Sequence, residues 1–126
     1  MCGVRFYVCE HCGNIIGMIH SSGVPVVCCG EPMRPLEPNT REASEEKHLP
    51  VVEAAEGAVR VKVGSAPHPM QEEHHIQWVY LETEKGGQRK CLDAAGAPEV
   101  VFALKDDRAV AAYAYCNLHG LWKTQI

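Results

Sequence analysis

From Leu49 onward, apolar and polar positions alternate along the chain. Val59-Arg60-Val61-Lys62-Val63 puts three valines on one face of an extended segment and two cations on the other. Ile76-Gln77-Trp78-Val79-Tyr80-Leu81 predicts a second strand, rich in residues that suit a pleated surface. Glu99-Val100-Val101-Phe102-Ala103-Leu104 and Val110-Ala111-Ala112-Tyr113-Ala114-Tyr115 flank the polar run Lys105-Asp106-Asp107-Arg108, a pattern that predicts a hairpin. Gly86-Gly87 predicts another hairpin turn. No helical period stands out. The expected architecture is therefore mainly β, a sandwich of about seven strands.

The segment before Pro35 follows another logic. It carries Phe6-Tyr7-Val8-Cys9-Glu10-His11-Cys12-Gly13-Asn14, an apolar run, then Val26-Val27-Cys28-Cys29-Gly30. Cys9-x-x-Cys12 followed by glycine predicts a knuckle whose backbone N–H groups point at the sulfurs. Cys28 and Cys29 are adjacent, so both reach one ion only if the backbone bends there, as Gly30 and Pro32 permit. Four thiolates read as a tetrahedral site for iron or zinc. The alternatives are a redox-active Cys9–Cys12 pair or a vicinal disulfide at Cys28–Cys29. So short a segment can hardly bury a core, and metal is expected to supply much of its folding free energy. His11 and His20 are expected to be bystanders. Pro35-Leu36-Glu37-Pro38-Asn39-Thr40 reads as a linker, dividing the chain into 1–36 and 37–126. The acidic run Glu42 to Glu46 is expected to be a short helix or a solvated loop.

Composition narrows the classes. A chain of 126 residues with 46% hydrophobic content and a formal charge of −4 is an ordinary globular protein. Its Lys and Arg residues are scattered, which argues against nucleic acid or a membrane surface as partner. No apolar run approaches the ~20 residues of a membrane helix. The N-terminal residues lack an apolar signal core, so a cytoplasmic location is expected. An odd count of 7 Cys, grouped rather than spread, favours metal ligation over a disulfide framework.

Near the end, Ala114-Tyr115-Cys116-Asn117-Leu118-His119-Gly120-Leu121-Trp122 sets one thiol and one imidazole three residues apart. Far upstream lie Lys47-His48, His68-Pro69-Met70 and His74-His75, with no second cysteine nearby. One soft sulfur among several imidazoles points to a redox metal more than to a closed zinc site. Four imidazoles and one thiolate would leave one octahedral position open, an arrangement that iron can use. A thiolate in such a shell donates electron density, as it does in thiolate-ligated haem enzymes. Lys47 could draw in an anion, and Glu46 could ligate or accept a hydrogen bond. Spacing alone does not choose between His74 and His75.

These motifs carry a resemblance. The Cys9–Asn14 and Cys28-Cys29-Gly30 stretches resemble the desulforedoxin module. Glu46-Lys47-His48-x-Pro50, His68-Pro69-Met70-x-x-x-His74-x-Ile76 and Cys116–Trp122 are similar to superoxide reductases. Together, over essentially the whole chain, they resemble the two-iron type, the desulfoferrodoxins. The resemblance implies a small rubredoxin- or desulforedoxin-like metal module before an immunoglobulin-like sandwich, usually as a homodimer. It implies an Fe(Cys)4 centre on Cys9, Cys12, Cys28 and Cys29. It implies a second iron with His48, His68, His74 and His119 equatorial and Cys116 axial. Glu46 would take the sixth position in the oxidised form, and Lys47 would attract superoxide and assist peroxide formation. The implied reaction is one-electron reduction of superoxide to hydrogen peroxide, with rubredoxin or a similar small redox protein as donor. Cys2 and Cys91 lie outside every motif. Cys91 is expected to be packed or idle, and Cys2 to lie near a flexible end. The rival readings are an iron electron carrier without catalysis and a zinc-stabilised interaction module.

Overall fold

A computed structural model describes residues 3–41 and 47–126. Cys2, Glu46 and the rest of the acidic run fall outside the described residues. The chain forms two compact units, one of Gly3–Glu37 and one that takes in Pro38–Ile126. The described residues form strands, turns and loops without any helix.

The first unit is held by short strands. β1 (Arg5–Val8) lies between β2 (Ile15–Met18) and β5 (Arg34–Pro35), while β3 (Val27–Cys28) and β4 (Glu31–Pro32) form a separate antiparallel pair. The buried apolar side chains among its described residues are Phe6, Cys9 and Met33. That is too little apolar area to order a segment of this length unaided.

The second unit is a two-layer β-sandwich. One sheet has the order β10–β7–β6, built from β6 (Pro50–Ala55), β7 (Ala58–Val63) and β10 (Glu99–Ala103). The other has the order β12–β11–β8–β9, from β8 (Ile76–Thr83), β9 (Gly86–Cys91), β11 (Ala109–Cys116) and β12 (Gly120–Gln125). These seven strands pair antiparallel throughout. The alternation in β7 sends Val59, Val61 and Val63 inward against Phe102 of β10 and Ile76, Val79 and Leu81 of β8. β11 is central in its sheet, and Ala111, Ala112, Tyr113 and Ala114 are all buried, as expected of a strand covered on both faces. Cys116, at the end of β11, belongs to the same core cluster. At the sandwich edge, side chains replace a backbone ladder. Gln88 and Lys90 of β9 donate to the carbonyls of Ala103 (2.8 Å) and Val101 (2.7 Å) in β10.

Two local expectations need correction. Lys105–Arg108 is not a hairpin turn. β10 pairs with β7, whereas β11 is flanked by β8 and β12. Both edges of β11 are thus occupied, and the connection crosses between sheets. There Glu84 N–H donates to the Arg108 carbonyl (2.9 Å) and Lys85 N–H to Asp107 Oδ1 (3.2 Å). Gly86-Gly87 is not the turn either. Glu84 and Lys85 turn the chain, and the glycines open β9 opposite Thr83 and Glu82. Gly87 is needed for close approach, because a Cβ there would lie 2.0 Å from the Tyr80 hydroxyl. The two units divide within the Pro35–Thr40 stretch, between Glu37 and Pro38. Pro35 is in β5, and Asn39 exchanges backbone hydrogen bonds with Leu121 and Lys123 on either side of Trp122.

The sandwich gathers several chain ends at one place. Pro50 pairs with Val63, Ile76 with Cys116, and Cys116 with Gly120. The segment before β6, the loop 64–75 and the β11–β12 turn therefore converge. They carry every histidine of the expected second cluster.

Candidate metal centres

In the first unit the Sγ atoms of Cys9, Cys12, Cys28 and Cys29 all lie within 4.8 Å of one another. The knuckle is closed by Gly13 N–H donating to the Cys9 carbonyl (2.9 Å) and Cys9 N–H to the Asn14 carbonyl (2.8 Å), with Gly13 at φ +82°. The bend at the adjacent pair is made by Cys29 itself, at φ 53°, followed by Gly30 at φ 79°. A left-handed cysteine costs about 1–2 kcal/mol. Here it turns the second sulfur to the same side as the first. Cys12 Sγ and Cys28 Sγ stand 3.7 Å apart. Tetrahedral bonds of about 2.3 Å require an S···S edge of about 3.8 Å, so the spacing fits an ion, and all four cysteines are free thiols rather than disulfide-bonded.

Electrostatics point the same way. The Cys12 backbone N–H, with help from that of His11, lowers the Cys9 thiol to about 6 against the burial that opposes it. Cys29 is pushed up to about 12 because Cys12, Cys9 and Cys28 crowd it, and Cys28 is raised by Cys12 and Cys9. Four sulfurs this close cannot all ionise without a cation among them. His11 faces Glu31 at 3.1 Å, on the exterior of this group.

In the second unit the ligand atoms of His48, His68, His74 and Cys116 lie within 4.8 Å of one another. His119 joins them, its Nδ1 standing 3.2 Å from His48 Nε2 and 3.8 Å from Cys116 Sγ. The four imidazoles close a square. Successive ring centroids are 4.6 Å (His48–His68), 4.9 Å (His68–His74), 5.1 Å (His74–His119) and 5.0 Å (His119–His48), and each pair meets edge to face. For bonds of about 2.1 Å, adjacent nitrogens on one ion stand about 3 Å apart, close to the His48–His119 spacing. His48 and His68 are 1% and 3% exposed, whereas His119 is exposed, so the group has a buried side and a solvent edge. His68 Nδ1 lies 2.8 Å from the Pro69 carbonyl, which makes Nδ1 the N–H and leaves Nε2 as the donor nitrogen.

The open choice at His74-His75 is decided by direction. His74 turns into the square, while His75 Nδ1 lies 3.0 Å from the Gln71 carbonyl. Lys47 directly precedes His48, and its backbone packs on Gly64. Glu46 lies outside the described residues. Cys91 sits on the exposed β9 with Arg89 Nη1 2.9 Å from its sulfur. One contributor was not recognised from sequence. Trp122 stacks on His48 and donates from Nε1 to the His119 carbonyl at 3.1 Å. Its place three residues after His119 was the only local signal.

Comparisons with known proteins agree with this geometry. The sequence model described as desulfoferrodoxin matches residues 40–125, and that of the desulfoferrodoxin N-terminal domain matches residues 4–36. The chain belongs to the desulfoferrodoxin family. A desulfoferrodoxin from Nitratidesulfovibrio vulgaris is 44% identical over 96% of this chain and 95% of that protein. A superoxide reductase from Pyrococcus horikoshii is 39% identical over 64% of this chain and 86% of its own length. The crystal structure of superoxide reductase from Treponema pallidum superposes with a TM-score of 0.86 at 41% identity, covering 99% of this chain and 100% of that one. Membership covers both units, and each unit presents a donor set that suits iron: four sulfurs in one, imidazoles with one sulfur in the other. The chain has two iron centres.

Proposed function

We propose that this chain is a superoxide reductase that gives one electron to superoxide and, with two protons taken up, releases hydrogen peroxide. The observation that carries the reading is the square of four imidazoles with a buried thiolate beside it. Ferrous iron, held by His48, His68, His74, His119 and Cys116, would supply the electron.

The chain's own residues do the rest. Cys116, fully buried at the end of β11, would hold the iron through its sulfur and lend it electron density. His48 and His68 keep one side of the group dry, which strengthens every electrostatic interaction there. The exposed side at His119 is where a small anion reaches the group. Lys47, next to His48, draws superoxide inward and assists protonation of the product. By the Glu46-Lys47-His48 motif, Glu46 would serve as a further donor to the oxidised iron. Cys9, Cys12, Cys28 and Cys29 hold the other iron, the first centre, in the domain 1–36, ahead of an immunoglobulin-like catalytic domain, 37–126. The electron is replaced by a small redox protein of the rubredoxin class, and the working form is a homodimer. Support for these finer assignments comes from the motifs Glu46-Lys47-His48 and Cys116–Trp122 and from the relatives named above.

The test is a pulse of superoxide delivered to the reduced, iron-loaded chain without oxygen. One hydrogen peroxide per oxidised second centre and no dioxygen support the reading. Dioxygen released with the peroxide means dismutation and refutes it. Failure of azide to perturb the spectrum of the second centre favours a simple electron carrier instead.

A further inference from the structure

We propose that Asn117 is a positioning residue that locks His74 onto the turn carrying Cys116 and His119. The proposal rests on the reading of this cluster as a metal site.

None of the four histidines lies within a strand, and the placement of His74 depends on irregular backbone contacts. His74 lies in the loop 64–75, outside every strand. A metal-binding constellation has to be held to about 0.5 Å, which such a loop does not achieve unaided. The β8–β11 ladder ends at Ile76 opposite Cys116, with a register shift between Tyr115 and Cys116. Beyond that end the pairing continues by one irregular rung. Asn117 N–H donates to the His75 carbonyl at 3.2 Å. The Asn117 side chain then completes the rung. Its Oδ1 accepts from His75 N–H at 2.9 Å, and its Nδ2 donates to the Glu73 carbonyl at 3.0 Å.

These three bonds grip the residues on either side of His74. The backbone of His74 itself is engaged with Gln71, N–H to carbonyl in both directions, at 3.0 and 2.9 Å. Each peptide unit around His74 is thus fixed, so the backbone sets the Cα–Cβ direction from which its imidazole enters the square. The partner in this grip immediately follows Cys116 and stands two residues before His119. Placement of His74 is thereby coupled to that of the sulfur and of the exposed imidazole. A primary amide suits the task because it presents an acceptor and a donor in one plane, like a peptide group. Aspartate keeps the acceptor but turns an oxygen towards the Glu73 carbonyl. Alanine keeps neither. The side chain bonds to backbone groups alone, so it acts through His74.

The test uses the full chain and cobalt(II) alone, titrated anaerobically against a competing chelator and followed by absorption. The wild type should take up two cobalt ions with separate spectra, one of a four-sulfur site and one with a single thiolate. N117A should bind the second cobalt about 10–100-fold more weakly, the range seen when a residue supporting a ligand is lost. Its thiolate band should shift, while affinity at the four-sulfur site stays unchanged. N117D should fall between the two and decides the matter if N117A does not fold. Wild-type affinity and spectrum at the second site in the folded variants would overturn the proposal. A wild-type chain that takes up cobalt only at the four cysteines would overturn the metal-site reading itself.

Discussion

Trp122 lies flat against His48, with ring centroids 4.4 Å apart and planes within 14° of parallel. The same indole donates its N–H to the carbonyl of His119, so one side chain braces two corners of the imidazole square. Trp122 is buried, and replacing it by alanine should cost about 3–5 kcal/mol, as for other large aromatic truncations. Phenylalanine preserves much of the stack and loses the hydrogen bond, for about 1 kcal/mol plus a smaller packing loss. Urea midpoints of the two variants will show whether the order holds. Equal losses would mean that the stack contributes nothing beyond the hydrogen bond.

Gly64 and Gly120 both have positive φ, +88° and +81°, but their surroundings differ. Alanine at Gly120 meets nothing within 4 Å, leaving only the left-handed backbone cost of about 1–2 kcal/mol. At Gly64 the new methyl would stand 2.3 Å from the Ala66 carbonyl oxygen and 2.6 Å from that of Lys47. Relief requires moving the Lys47-His48 backbone or the start of the loop that carries His68. G64A should therefore destabilise at least twice as much as G120A and should weaken metal uptake at the second centre. Thermal unfolding with metal analysis tests both. Equal melting points would show that the loop yields freely.

How much of this was legible in the sequence depended on how local the cause was. The valines of β7 and the knuckle at Cys9–Cys12 could be read because the residues that determine them are neighbours. The bend at Cys28-Cys29 was foreseen as a need, but its means, a left-handed Cys29, was not. Lys105–Arg108 misled because a polar turn before a hairpin and one before a change of sheet look alike locally. What distinguishes them is that β12 and β8 already flank β11, a fact about the whole sheet. The stack of Trp122 on His48 spans most of the second unit, and no periodicity encodes it. The histidine set could be assembled by motif resemblance, whereas the choice of His74 over His75 has its physical cause in the Gln71 carbonyl that engages His75.

The buried pair Tyr113–Glu82 predicts an alkaline stability limit. Tyr113 donates to Glu82 Oε1 at 2.9 Å, and both side chains are buried. Burial first, then the hydrogen bond and the charge of Glu82, hold the Tyr113 phenol well above the usual tyrosine range; burial raises Tyr80 as well. A raised phenol keeps its proton in the folded state when the unfolded chain would lose it. That contribution to stability is complete below a pH of about 10 and is lost as pH climbs towards the folded-state value. The wild-type urea midpoint should fall more steeply than that of Y113F between about pH 9.5 and 11. Parallel slopes would mean that Tyr113 titrates normally in the fold.

Lys47 supplies a cation immediately before His48, and the role proposed for it in drawing in superoxide would have a salt signature. K47A should slow the second-order reaction with superoxide several-fold at low ionic strength, with the difference shrinking as salt screens the charge. Pulse radiolysis across a salt series measures it. Rates that respond identically to salt in variant and wild type would remove Lys47 from attraction of the anion.

Removal of metal should act unequally on the two units. The sandwich has a continuous core running from Val59 to Cys116, whereas the described residues of Gly3–Glu37 bury only Phe6, Cys9 and Met33 and leave Ile19 96% exposed. With so little apolar burial, the free energy that orders the first unit has to come from the ion bridging its four sulfurs. Without a cation the crowding that raises Cys28 and Cys29 is uncompensated, so the sulfurs favour moving apart. Chelation in the full chain should therefore erase amide protection at Cys9 and Gly13 while leaving that of β8 and β11 intact. Hydrogen exchange read residue by residue checks this. Protection at Cys9 that survives complete metal loss would show that the strands around β1 hold the module without the ion.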